Sequence, residues 1–175
     1  MGYQDESDDF LMSGGGVSCQ FPKKGHSFTG TVLKIGKPRP QTDPESGDVK
    51  TFKSGDVRKT MPVTLATDAR GHWVEGEYEE IEDDDGERVL YVQGLMKNAV
   101  RDAVRKAFKD GGKPASAARL EVGGLLTVRW DSTIPPARKG LKPTKVYVAE
   151  YVLAEDNKAN AHLLDDEDDP FDDED

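Results

Sequence analysis

Two kinds of side chain dominate the positions where this sequence could do chemistry: clustered cations with aromatics among them, and runs of carboxylates. Lys37, Arg39, Lys50, Lys53, Arg58 and Lys59 fall within one polar stretch that also holds Phe52. A second basic group comprises Arg129, Arg138, Lys139, Lys142 and Lys145, most of it in or beside the segment 132–144, STIPPARKGLKPT. Cations at such spacing can follow phosphates, and exposed aromatics give bases a surface to stack on, worth ~1–3 kcal/mol per base. Phe52, Trp73, Tyr91 and Trp130 are the aromatic candidates. Phe52 is the best placed, because Thr51 and Lys53 flank it in a polar loop. Trp130 alternates with Leu126 and Val128, a pattern that sends it toward a core.

The carboxylates are as unevenly placed as the cations. Residues 165–175 (DDEDDPFDDED) hold nine acids and no base, and residues 1–10 hold four more. The whole chain of 175 residues has a formal charge of −10, yet residues 11–164 carry +3. The run Glu75 to Glu87 adds a further nine acids, so the rest of that body carries about +12. A basic body with acidic ends points to a polyanionic partner and a competing tail. Within the tail, Asp168, Asp169, Pro170, Phe171 and Asp172 form an aromatic anchor in a carboxylate strip. Phe171 can fill an apolar pocket while the acids meet Lys and Arg around it. Tethered to a basic groove, the same strip competes at high effective concentration; the bland reading is a solubility tail.

Catalytic and metal chemistry find little support. Gly111-Gly112-Lys113 runs into Pro114 instead of Ser or Thr, so it is not a phosphate-binding P-loop. Cys19, His26, His72 and His162 lack zinc-finger spacing, and one cysteine builds neither a disulfide nor a common zinc site. The acids 82–85 (EDDD) could meet a divalent ion, but no EF-hand pattern accompanies them. The expectation is a non-enzyme with no metal and no cofactor; a nuclease with scattered carboxylates is the catalytic alternative. The lone cysteine, the acidic N-terminus and the lack of any apolar run of ~20 residues predict a cytoplasmic protein away from membranes. Gly2 is followed by Glu6 where myristoylation prefers Ser or Thr.

Strands and one helix must position these groups. The pattern predicts strands over 26–37, 60–68, 88–93, 120–131 and 145–153, rich in Val, Ile, Leu, Thr and aromatics. Gly30 suggests a bulge or sharp coil in the first. Between the first and second lies a long Pro-, Gly- and Asp-rich loop, 38–58, and residues 69–87 read as an acidic hairpin. Leu95, Ala99, Ala103, Val104, Ala107 and Phe108 recur at helical spacing, with Gly111-Gly112 as a stop. Lys97, Arg101, Arg105 and Lys109 make a basic stripe along that helix, or simply its solvated face. Residues 1–18 read as a flexible lead-in, 19–154 as the folded domain and 155–175 as a disordered acidic tail.

The order strand, long loop, strand, strand, helix, strand, basic loop, strand is that of the oligonucleotide-binding fold. This is a mainly β, five-stranded Greek-key barrel whose helix sits between strands three and four. In that fold nucleic acid crosses the second and third strands, gripped by the loops between strands 1–2 and 4–5. These are the two basic loops, expected here to share one mouth of the barrel.

That strand order together with D-D-E-D-D-P-F resembles the single-stranded-DNA-binding proteins of bacteria and bacteriophages, whose acidic tails end in or near a Phe. Length and decorated loops are closer to the phage members. The resemblance implies a protein of the bacterial host cytoplasm that coats and protects single-stranded DNA in replication, recombination and repair. It implies recruitment of a polymerase, helicase or primase, or recombinase through residues 165–175; a homo-oligomer fits as well. In bacterial members the Phe is terminal, whereas Asp172 to Asp175 follow it here. That departure favours a phage-encoded partner over the host's usual tail-binding proteins. The alternatives are a protein-interaction adaptor or acidic DNA mimic that binds no nucleic acid, and a strand-annealing mediator.

Overall fold

A computed structural model describes residues 17–43 and 45–158. The expected lead-in up to residue 16 and the tail residues Asp168, Asp169, Pro170, Phe171 and Asp172 lie outside the described residues. Among the described residues the chain is mainly β, with one α-helix and an open antiparallel sheet. Its strands are β1 (Ser27–Ile35), β2 (Arg39–Pro40), β3 (Lys59–Ala66), β4 (Gly71–Val74), β5 (Glu77–Glu80), β6 (Glu87–Val92), β7 (Leu125–Ile134) and β8 (Thr144–Val152). Helix α1 (Gly94–Asp110) joins β6 to β7.

In the main sheet β3 lies between β6 and β1, β7 between β1 and β8, and two-residue β2 pairs with the start of β3. The β4–β5 hairpin stands apart as a two-stranded ribbon, turning at Glu75 and Gly76. Alternation decides which side of each strand is buried. Val63 and Leu65 of β3, Leu90 of β6 and Leu126 and Val128 of β7 are almost completely shielded, each worth ~1.5–3 kcal/mol on burial. Gly30 of β1 faces the same way, and a Cβ there would stand 2.6 Å from the Ala66 carbonyl oxygen and 2.9 Å from Leu65 Cβ. The glycine lets β3 cross closely over β1, while the irregularity in register comes two residues later, between Val32 and Lys34.

Helix α1 covers this core, packed chiefly along β8. It buries Met96, Val100, Ala103, Val104 and Phe108. Leu95, expected on that face, is 39% exposed; the apolar stripe starts at Met96 and steps to Val100, Val104 and Phe108, one residue on from the predicted seed. The helix ends as expected. Gly112 has φ of 73°, its N–H donates to the Lys109 carbonyl, and the Lys113 N–H donates back to Phe108, a Schellman closure that suits glycine.

The sheet does not close by direct pairing: among the described residues β6 and β8 share no ladder. The chain before β1 fills the gap. Val17, Ser18 and Cys19 run parallel to β6, with the Cys19 N–H donating to the Val89 carbonyl and the Val89 N–H to Val17. Phe21 then packs edge-on against Tyr147 of β8, with ring centroids 5.2 Å apart. Val17 and Ser18, expected in the flexible lead-in, are thus part of the folded body. At the other end, residues 154–156 form a 3₁₀ turn and Asn157 is buried, its amide donating to Thr31 Oγ1 and the Gly123 carbonyl. The folded body therefore runs three residues past the expected start of the tail.

Candidate nucleic-acid interface

The two basic loops are not loose. Residues 36–58 fold back on themselves as an irregular ribbon: Arg39 pairs with Thr60 and Pro40 with Lys59, and bridges join Thr42 to Val49 and Thr51 to Val57. Lys37, Arg39, Lys50, Lys53, Arg58 and Lys59 are all exposed on it. Phe52 is 50% exposed, and the Arg58 guanidinium lies 5.0 Å from its ring centroid. A base stacked on that ring would meet an aromatic face with a cation beside it. The same ribbon carries Asp43, Glu45, Asp48 and Asp56, so residues 37–59 net only +2. Asp43 is structural, accepting the Glu45 N–H at 2.8 Å to hold its turn.

The second basic group sits on a β arm. β7 and β8 continue past the end of β1 as a two-stranded hairpin whose last pair is Ile134 with Thr144. Its tip, residues 135–143, exposes Arg138, Lys139 and Lys142 and contains no acid. The flanking members are less free. Arg129 donates to Asp131 Oδ1 at 3.0 Å. Lys145 donates to the Phe21 carbonyl at 3.2 Å and rests 4.2 Å from the Trp130 ring centroid. Trp130 itself is half-buried against the core, as its alternation predicted, with Nε1–H donating to the Ser132 carbonyl.

The arms do not share one mouth. Ser27 at the start of β1 pairs with Arg129, whereas Ile35 at its end pairs with Val63. Loop 36–58 therefore leaves one end of β1 and tip 135–143 lies beyond the other, with the nine residues of β1 between, a span of roughly 27 Å. Antiparallel pairing of β1 with both β3 and β7 imposes this separation. A strand touching both arms must cross the outer face of the sheet. That face is mostly hydroxyl and neutral: Thr29 and Thr127 share a hydrogen bond of 2.9 Å, and Lys34 is its main cation from β1. Tyr91 of β6 points outward there, 45% exposed opposite Pro62.

Trp73 lies apart from both arms, on β4. Its backbone is pinned by Gln20, whose side chain accepts the Trp73 N–H at 2.8 Å and donates to its carbonyl at 3.0 Å. Its ring sits between His26 and Tyr78, at centroid distances of 5.2 and 5.5 Å.

One polar centre was not legible from the sequence. Arg88, on the inward side of β6, is 1% exposed. Its guanidinium donates to both Asp84 carboxylate oxygens, at 2.9 and 2.6 Å, and to the Gly71 and Glu87 carbonyls. The Arg88 hydrogen bond, helped by the Gly86 N–H, pushes the Asp84 carboxyl down to about 2. Asp84, one of the four acids considered for a divalent ion, is thus engaged by a cation of the chain itself. The two are only four residues apart, and Arg within a run of strand apolars is a signal that it needs a buried partner. Cys19 lies nearby, and burial raises its thiol to about 12, which keeps it protonated and unreactive.

No protein-family model, curated protein or solved structure matches this chain. Among the described residues no helix is long and apolar enough to cross a membrane.

Proposed function

We propose that this protein binds single-stranded DNA without catalysis, coating and protecting it during replication, recombination and repair, most simply for a bacteriophage. The observation that carries this reading is the acid-free basic tip 135–143 at one end of β1 and the exposed Phe52–Arg58 pair at the other. The fold we assign is the oligonucleotide-binding barrel. All its antiparallel neighbours are present (β1 with β3 and β7, β3 with β6, β7 with β8), and α1 falls between the third and fourth barrel strands. Residues 17–21 would take the place of the missing seam between β6 and β8. DNA would then run across the outer face from the β7–β8 arm, past Tyr91, to the 36–58 ribbon. Residues 165–175, with Phe171, would recruit a polymerase, helicase or primase, or recombinase. They would also occupy the basic path when DNA is absent.

The test is a titration of fluorescently labelled oligo-dT with the full-length protein at low and high salt. Binding that weakens steeply with salt is expected, because displaced counterions supply much of the free energy. Absence of binding at low salt would leave the adaptor or DNA-mimic reading. That reading draws on the acidic hairpin, where Glu77, Glu79 and Glu80 all stand exposed.

A further inference from the structure

A cavity of about 220 Å³ opens where β4 and β5 meet the start of β1. His26, Ser27, Phe28, Trp73, Tyr78 and Arg88 are among the residues that line it. Trp73 touches two of the other rings: His26 lies 31° from parallel to it, and Tyr78 meets it edge-on at 67°. The Trp73 part of the wall is held in place, since Gln20 fixes its backbone from both the N–H and the carbonyl.

We propose that this cavity takes a single nucleobase turned out of the bound strand. The inference rests on the single-stranded-DNA reading and gives it a specific contact. A phosphate is the wrong occupant. Both terminal nitrogens of Arg88 already donate to Asp84, Gly71 and Glu87, and the Asp84 carboxylate cancels its charge. An anion would be desolvated there with no free cation to meet it. A planar, uncharged ring loses little water and gains stacking on Trp73. The His26 imidazole and Ser27 hydroxyl supply polar atoms for a base edge. Phosphates are provided for outside: Lys23 and Lys24 are exposed just before His26. A drug-sized ligand would need roughly 300–1,000 Å³, so the space suits one base and no more.

The chain has two tryptophans, so Trp130→Phe in the full-length protein leaves Trp73 as the sole reporter. It is titrated with oligo-dT and with an abasic strand of equal length, each also carrying an end label that reports binding by anisotropy. Quenching of Trp73 by the base-bearing strand, and none by the abasic strand at matched occupancy, is expected. Equal quenching by both strands, or a bound base-bearing strand with Trp73 silent, overturns the base pocket and leaves strand binding standing. Failure of both strands to bind at low salt overturns both readings together. Should Trp130→Phe not fold, Trp73→Phe in the native background reads the same contact: quenching by oligo-dT should fall by the Trp73 share, and undiminished quenching overturns the proposal. Trp73→Ala should weaken oligo-dT binding about fivefold or more, the effect of one lost stacking surface.

Discussion

At the scale of single residues, the Arg88–Asp84 pair decides how the acidic hairpin is tied to the sheet. Arg88 is on β6, Asp84 precedes that strand, and the Gly71 carbonyl that Arg88 also holds begins β4. The Asp84 carboxyl is pushed down to about 2 from an ordinary 3.8, first by Arg88 and then by the Gly86 N–H. Its charged form is thus favoured in the folded state. The resulting stability is complete above the ordinary carboxyl pKa and is lost as pH falls from about 4 toward 2. Asp84→Asn should therefore lower the thermal midpoint at pH 7 and lose stability less steeply than the parent between pH 4 and 2. Circular dichroism melts at several pH values measure both; parallel curves would show that the pair adds nothing. The sequence displays Arg88 and Asp84 only as one base and one of many acids. Four residues separate them, and their partnership depends on the turn through Gly86, whose φ of 83° no strand or helix pattern supplies.

Elements put chemistry where single residues could not. β1 is the ruler of the molecule, since its two ends fix where both basic arms emerge. The strand assignments were readable because period-2 alternation is forced wherever one face is buried, as with Val63 and Leu65 or Leu126 and Val128. Gly30 stood out in sequence as a special position, but its reason is the crossing of β3 and not a bulge. Gly30→Ala should cost about 1–3 kcal/mol, as overpacking of a tight contact does, read as a lower midpoint in urea; an unchanged midpoint would mean that β3 yields freely. The first member of the helix's buried stripe was read one residue off because Leu95 and Met96 are both apolar, and only the sheet beneath shows which of them is covered. For the arm, replacing Arg138, Lys139 and Lys142 with Ala removes three cations from an exposed tip. Melting should be unaffected, while the slope of log affinity for oligo-dT against log salt falls by about 2, given ~0.7 per phosphate contact on single strands. An unaltered slope would remove the tip from the DNA path.

At the scale of the whole molecule, charge is partitioned between a basic body and acidic segments, and that partition suggests regulation by competition. Deleting residues 165–175 takes nine carboxylates from a chain of net −10. The truncated protein should bind oligo-dT more tightly at low salt, with the gap narrowing as salt screens the tail; equal affinity at every salt concentration would show that the strip does not compete. Composition alone determined this asymmetry, because charge counts need no coordinates. The sequence also determined the strands, the helix and its glycine stop, since these follow from local alternation, periodicity and backbone preference. Tertiary structure alone decided the rest. It set the basic arms at opposite ends of β1 instead of around one opening, because antiparallel register fixes which strand ends are neighbours. It brought residues 17–21 between β6 and β8, held Arg88 on the Gly71 carbonyl of β4, and gathered His26, Phe28, Trp73 and Tyr78 around one cavity. Each of those is a meeting of residues distant along the chain, and such meetings are set by how strands pair and cross, a relation that local pattern does not carry.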